Sequence, residues 1–153
     1  MRRDPLRVMK WINWYPPFLG ANIRVVYTAP DFQTIRVQSK LSRRNLNAVG
    51  THFGGTLYAM CDPWFMLMLM RMLGEDYIVW DKAANIQFVR PGRGTVTATF
   101  CVTREQADEI RARADAGEKI EPAFSVNVMD EQNQIVAHVD KLLYVRKKKP
   151  KAE

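Results

Sequence analysis

The chain is poor in the residues that sulfur, imidazole or metal chemistry would need: two cysteines and two histidines among 153 residues. Cys61 and Cys101 show no CxxC or metal-type spacing, and with the scattered His52 and His138 they assemble no metal site. The plain reading of both cysteines is a buried free thiol in a reducing cytoplasm. A Cys/His nucleophile pair fails on distance, because His52 and Cys61 would sit about 13 Å apart along one helix. No phosphate loop or dinucleotide fingerprint occurs. The segment Met1 to Lys10 is charged and no apolar run follows it, so no signal peptide is expected. Long apolar runs are missing too. The most apolar stretch, Asn45 to Gly74, is interrupted by Asp62-Pro63 and closed by Arg71. Only Trp64 to Met70 is unbroken, too short to span a bilayer.

What is present in excess is positive charge, +7 overall, but Arg146, Lys147, Lys148, Lys149 and Lys151 against Glu153 place +4 of it in the tail. A short terminal charge run reads as solvated. No helix-turn-helix, zinc-finger or aromatic RNA-binding signature accompanies it, which leaves a nucleic-acid role resting on the tail alone. The expected organisation is one domain over 1–146, including an N-terminal helix, followed by a basic disordered tail over 147–153. A chain of this length can bury one sizeable core.

The stretch Asn45 to Gly74 organises the rest. It opens polar and glycine-rich and is then apolar on nearly every side, the pattern of a buried central helix. Pro63 should kink it and leave the Ala59 carbonyl free. Before it, Asp4-Pro5 predicts a helix start, with Leu6, Met9, Ile12 and Trp14 on one face and Pro16-Pro17 as the stop. Ile23 to Thr28 and the alternating Ile35, Val37 and Leu41 predict a hairpin turning at Ala29-Pro30-Asp31. Past the helix, Gly74 is a natural C-cap. Tyr77 to Val89 reads as a strand that forms a second hairpin with Thr95 to Val102. Thr103 to Gln106 is a capping box opening a short polar helix to about Ala116. Ala123 to Met129 and Gln134 to Val145 form a third hairpin. About six strands around one buried helix predict an α+β fold with an antiparallel sheet.

The order of elements, with Asn47, Gly54-Gly55 and Asp62, resembles the hotdog fold of the acyl-CoA thioesterases, in which a curled antiparallel sheet wraps a long helix. The resemblance covers nearly the whole chain. The stretches WINWYPPFLG, GTHFGG leading to Asp62-Pro63, and WDKAANIQFVRPGRGTV are similar to one branch of that superfamily. In the phenylacetic-acid-type thioesterases the motif is an Asn, then His-Gly-Gly opening the helix, then a carboxylate two turns on. Set on that motif, Asn47 takes the place of the Asn, Gly54-Gly55 of the glycine pair and Asp62 of the carboxylate. Phe53 stands where the motif has its histidine, and His52 is one residue early. The resemblance implies a homodimer, or a tetramer of paired dimers, with the carboxylate acting across the subunit interface. It implies a cytoplasmic thioester hydrolase that needs no cofactor and takes a coenzyme A thioester as substrate. The alternative is a non-catalytic acyl-binding or scaffold dimer, which Phe53 in the histidine's place favours.

The residue chemistry agrees in part. Free N–H groups at Gly54 and Gly55 can polarise a thioester carbonyl, and Asp62 can act as nucleophile or activate water. The same residues also fit plain roles, the glycines in close helix packing and Asp62 as a satisfied buried carboxylate. Asn47 positions a water or holds its loop. Asp81-Lys82 is either an exposed ion pair or part of the site, Asp81 falling where thioesterases often carry a Ser or Thr. Arg90 and Arg93 flank a turn from which they can meet coenzyme A phosphates. A pocket of Tyr58, Trp64, Phe65 and the methionines would favour medium-chain or aromatic acyl groups.

Overall fold

The computed structural model describes Met9 and residues 11–149. The predicted helix start at Asp4-Pro5 and the end of the basic tail lie outside the described residues. Beyond Trp11 the predicted helix does not continue unbroken to the prolines. Ile12–Trp14 is a single 3-10 turn, and Pro16-Pro17 opens a new helix, α1 (Pro16–Gly20). Proline is suited to that place, because the first helical N–H groups have no partner to lose.

Six strands follow: β1 (Ile23–Thr28), β2 (Thr34–Lys40), β3 (Tyr77–Phe88), β4 (Thr95–Cys101), β5 (Ala123–Met129) and β6 (Ile135–Lys147). They form one antiparallel sheet in the order β1-β2-β4-β5-β6-β3. The predicted hairpins β1–β2 and β5–β6 are present. The predicted hairpin between β3 and β4 is not. β4 pairs along its whole length with β2, from Thr34↔Cys101 to Lys40↔Thr95, and β3 pairs with β6 instead. The Arg90–Gly94 connection therefore crosses from the sheet's far edge to its middle. Strand alternation cannot reveal this, since it says which face is wet and nothing about the neighbour. β6 also runs two residues beyond the expected end. Lys147 pairs with Tyr77, and the Lys148 N–H donates to the Asp76 carbonyl, so the sheet includes the start of the basic tail.

The central helix is two helices, α2 (Gly54–Ala59) and α3 (Trp64–Leu73), separated by Met60 to Pro63. The break is fuller than a kink, and the Ala59 carbonyl is not free but accepts from the Asp62 N–H at 3.4 Å. The Trp64 indole N–H donates to the Met60 carbonyl at 2.6 Å and closes the gap. α3 buries Trp64, Phe65, Leu67, Met68, Leu69 and Leu73. Its aromatics run into the sheet's inner face: Trp64 and Phe65 lie 6.2 and 5.3 Å from Phe100, and Phe65 stacks on Phe124 at 4.9 Å. Truncating such a buried aromatic costs about 3–5 kcal/mol. The sheet thus curls round the helical pair. The capping box is formed as predicted: Thr103 and Gln106 exchange bonds at the start of α4 (Arg104–Asp115). Cys61 is buried, but Cys101 is exposed on the outer face of β4, which corrects the expectation of two buried thiols.

Candidate functional site

α2 begins at Gly54, so the N–H groups of Gly54 and Gly55 have no acceptor within their own helix. Phe53 precedes them with its side chain 57% exposed. Its ring lies over Gly55, where a Cβ would come within 2.4 Å, and a Cβ on Gly54 would meet the Phe88 ring at 3.0 Å. A side chain at either glycine would therefore have to displace an aromatic ring.

Asn47 is fully engaged by its own loop. Its amide donates to Thr51 Oγ1 and the His52 carbonyl, and its carbonyl oxygen accepts from the Val49 and Thr51 N–H groups. An asparagine side chain offers two donor hydrogens and two acceptor lone pairs, so loop-holding uses all of them. His52 turns inward. It is buried, Nε2 sits 3.0 Å from the Gly94 carbonyl, and its backbone N–H donates to the Gly92 carbonyl. Burial, only partly offset by the Gly94 bond, pushes its imidazole below the ordinary value. It clamps the Arg90–Gly94 connection. These residues, with Leu57, Phe88 and Arg90, line a cleft of about 370 Å³. Arg90 and Arg93 are exposed, and Arg93 reaches only the Gly50 carbonyl, at 3.4 Å.

The other candidates meet at the opposite end of α2. Asp62 lies in the helix break, its side chain 51% exposed rather than buried as its apolar surroundings suggested. The break lifts it off the packed face. Tyr58 donates to Asp62 Oδ1 at 2.9 Å, and the Lys141 ammonium reaches the same oxygen at 3.2 Å. On its other side Lys141 lies 3.3 Å from Asp81 Oδ2. Asp81 and Lys82 do not pair with each other: Lys82 pairs with Glu121. The register shifts between Asp81 and Ala83, so Asp81 faces inward opposite Leu143 and, beyond the bulge, Ala84 stands opposite Lys141. Bulges commonly re-aim side chains beside active sites. Here the bulge brings a carboxylate to Lys141 while a methyl-sized neighbour leaves room.

Lys141 is the residue that sequence reading missed. Its side chain is 0% exposed. Burial alone would lower its pKa, but Asp81, then Asp62, then Tyr58 outweigh that and carry it above the usual lysine value. Burial raises the Asp81 carboxyl more than Lys141 lowers it. The Cys61 thiol behind them is pushed up to about 12, chiefly by burial, so it is no nucleophile at neutral pH. The signal for Lys141 was present: Val139, Lys141, Leu143 and Val145 share one strand parity, and all four are buried. A lysine on the inward parity must have a counter-charge nearby. Tyr58, Asp81, Lys82, Ala83, Ala84, Ile86 and Lys141 line a second cleft, of about 490 Å³. Trp64, Phe65, Met60 and Met68 are spent in the core, so the pocket predicted from them is not the one formed.

Within one chain Gly54 opens α2 and lines the first cleft, whereas Asp62 lies in the break beyond Ala59, held by Tyr58 and Lys141, which line the second. The helix between Gly54 and Ala59, roughly 7.5 Å long at 1.5 Å per residue, separates them. Among the described residues no group of three or more His, Cys, Asp or Glu could hold a metal ion, and no helix is long and apolar enough to cross a membrane.

The same fold recurs in solved structures. The protein PA5026 from Pseudomonas aeruginosa, named a probable thioesterase, is 18% identical with a TM-score of 0.81, covering 97% of this chain and 99% of that one. The thioesterase HI1161 from Haemophilus influenzae is 15% identical with a TM-score of 0.68, covering 100% and 97%. The PaaI protein of the Escherichia coli phenylacetic acid degradation operon is 16% identical with a TM-score of 0.64, covering 95% and 94%. At these identities the likeness is one of fold, and the fold is the hotdog fold. No curated protein matches the chain. The family model described as a domain of unknown function, DUF4442, matches residues 7–145, and the chain belongs to that family.

Proposed function

We propose that this protein is a thioester hydrolase acting on an acyl thioester such as an acyl-CoA, with each active site shared between two copies paired along β3. The observation that carries the reading is a half-exposed carboxylate, Asp62, fixed by a buried lysine and a half-buried tyrosine beside a cleft. The named neighbours of the same fold point to the same chemistry.

The dimer follows from the spacing. β3 is an edge strand, and the two clefts are lined by successive parts of it and its continuation: Ala83, Ala84 and Ile86 in one, Phe88, Val89 and Arg90 in the other. Antiparallel pairing of two β3 strands would set the Asp62 cleft of one copy against the glycine cleft of its partner. The N–H groups of Gly54 and Gly55 of the partner subunit would then take the thioester oxygen. Asp62 removes a proton from a water that attacks the carbonyl carbon. The oxyanion is held by the amides, the C–S bond breaks, and the leaving thiolate recovers the proton from Asp62. Arg90 and Arg93 lie where coenzyme A phosphates would pass the rim, and the reading uses no resident cofactor. A cytoplasmic setting suits a coenzyme A substrate and two free thiols.

The test is thiol release from a panel of acyl-CoAs by wild type and Asp62→Asn of matched oligomeric size. Wild-type turnover that falls about 10³-fold in the variant supports the reading. Acyl-CoA binding without turnover would identify a binding protein instead, the role that Phe53 in the motif histidine's place favours.

A further inference from the structure

We infer that Lys141 is a positioning residue for Asp62, occupying one carboxylate oxygen so that the other is left for the reacting water, with Asp81 as its anchor. This rests on the thioesterase reading above. It concerns a residue on a different strand from any motif position, reached only through the fold.

Three observations carry it. First, both bonds to Asp62 converge on Oδ1, from Tyr58 at 2.9 Å and from Lys141 at 3.2 Å, and among the described residues nothing bonds Oδ2. A carboxylate tethered by one oxygen keeps its rotation fixed while the second oxygen stays available as a base. Second, the burial is asymmetric: the cation is fully enclosed and the anion it holds is half in solvent. Burying an ammonium is costly unless its partners are well placed, so its position is set by the protein rather than by solvent. Third, the anchor is incomplete as a purely structural ion pair. Asp81 gives Oδ2 to Lys141, while its Oδ1 is buried with no partner. Orphaned buried acceptors are rare and call for an explanation. Here the explanation is a bulge that spends a hydrogen bond to bring a second carboxylate to the lysine.

The groups facing Lys141 are Asp62 and Cys61 from the helix break, Tyr58 from α2 and Asp81 from β3. Cys61 stays neutral, and Lys82 is turned to Glu121. Lys141 is thus the cation shared by the two carboxylates. Remove it, and Asp81 keeps the charge of Asp62 beside it with no cation to offset it, which favours protonation of Asp81.

The experiment compares wild type with Lys141→Met, of similar length without charge, and Lys141→Arg, each checked for fold and oligomeric size. Expected is a fall of about 10²-fold in kcat for Lys141→Met with KM little changed, as for a displaced catalytic group. The titration midpoint of Asp81, followed by carbon NMR, should rise in Lys141→Met, and Lys141→Arg, which restores the charge, should recover part of the rate. A folded Lys141→Met with wild-type kcat overturns the inference. Should Lys141→Met fail to fold, Asp81→Asn and Tyr58→Phe take its place. Each loosens one support of the same tether and should lower kcat by about 10-fold, and wild-type kcat in both would overturn it. If wild type hydrolyses no acyl thioester, the thioesterase reading fails on its own. The hold of Lys141 on the carboxylates is then read by carbon NMR. Loss of the cation by substitution should raise the titration midpoint of Asp81, and an unchanged midpoint rejects it.

Discussion

The two edges of the sheet are built differently. β1 is six residues long, breaks register between Val25 and Tyr27, and has its outer backbone capped. The Asn13 amide donates to the Val25 carbonyl at 3.2 Å and accepts the Val25 N–H at 2.8 Å. A side chain that imitates a neighbouring strand for one residue is a way of blunting an edge. β3 is twelve residues long, leaves Ala83, Ala84, Asn85, Gln87 and Phe88 exposed, and among the described residues has no strand on its outer side. The closed edge is remote from both clefts; the open one adjoins both. The contrast teaches that one edge is guarded by the chain itself and the other is not, and the dimer proposed above uses the unguarded one.

The largest effect should come from closing the open edge. Asn85→Lys combined with Gln87→Lys puts like charges along β3, and light scattering should show a shift from dimer to monomer. Thiol release should fall about 10²-fold or more, because the amides and Asp62 would no longer meet. An active monomer would sink the shared-site reading.

Opening the closed edge should do less. Asn13→Ala removes two hydrogen bonds from β1 and should cost about 1–2 kcal/mol, lowering Tm by roughly 3–6 °C with kcat unchanged. A loss of activity at constant fold would mean that the N-terminal segment takes part in the site.

The smallest effect concerns the clamp at the end of the open edge. His52 is held neutral by burial, with its pKa lowered from the ordinary 6.5. Below about pH 6.5 the unfolded chain therefore binds a proton that the folded chain resists. The contribution of His52 is fully present above that value and is lost as pH falls towards the folded pKa. Urea midpoints at pH 7 and pH 5 should differ more for wild type than for His52→Gln. Equal differences would show that His52 is not linked to folding.

How much of this was legible in the sequence follows from what local pattern can encode. Alternation in Thr34–Lys40 and Thr95–Cys101 marks strands because one face is wet, and Thr103 with Gln106 marks a helix start because both bonds are local. The pairing of β3 with β6 rather than β4 depends on distant partners that no local period records. Asp62 was conspicuous as an acid in an apolar run, yet its exposure was misjudged because the extent of the break after Ala59 is a property of packing. Lys141 escaped notice because an alternating strand normally tolerates one lysine, and its two carboxylates lie 60 and 79 residues away. His52 stood one residue before the motif histidine's place, and the structure turns it inward to the Gly94 carbonyl, a partner 42 residues away that no local pattern records.

The pairing of Tyr77 with Lys147 spans seventy residues and has a consequence in time. β3 is synthesised third among the described strands but is joined to the sheet only through β6, the last of them. Contacts so distant in sequence form slowly, and none of these can form before β6 has left the ribosome. Until then β3 lacks both its neighbour and the lysine that would hold Asp81. In the paired form proposed above, a nascent chain thus carries no finished dimer edge. Assembly along β3 then waits for β6 to be made.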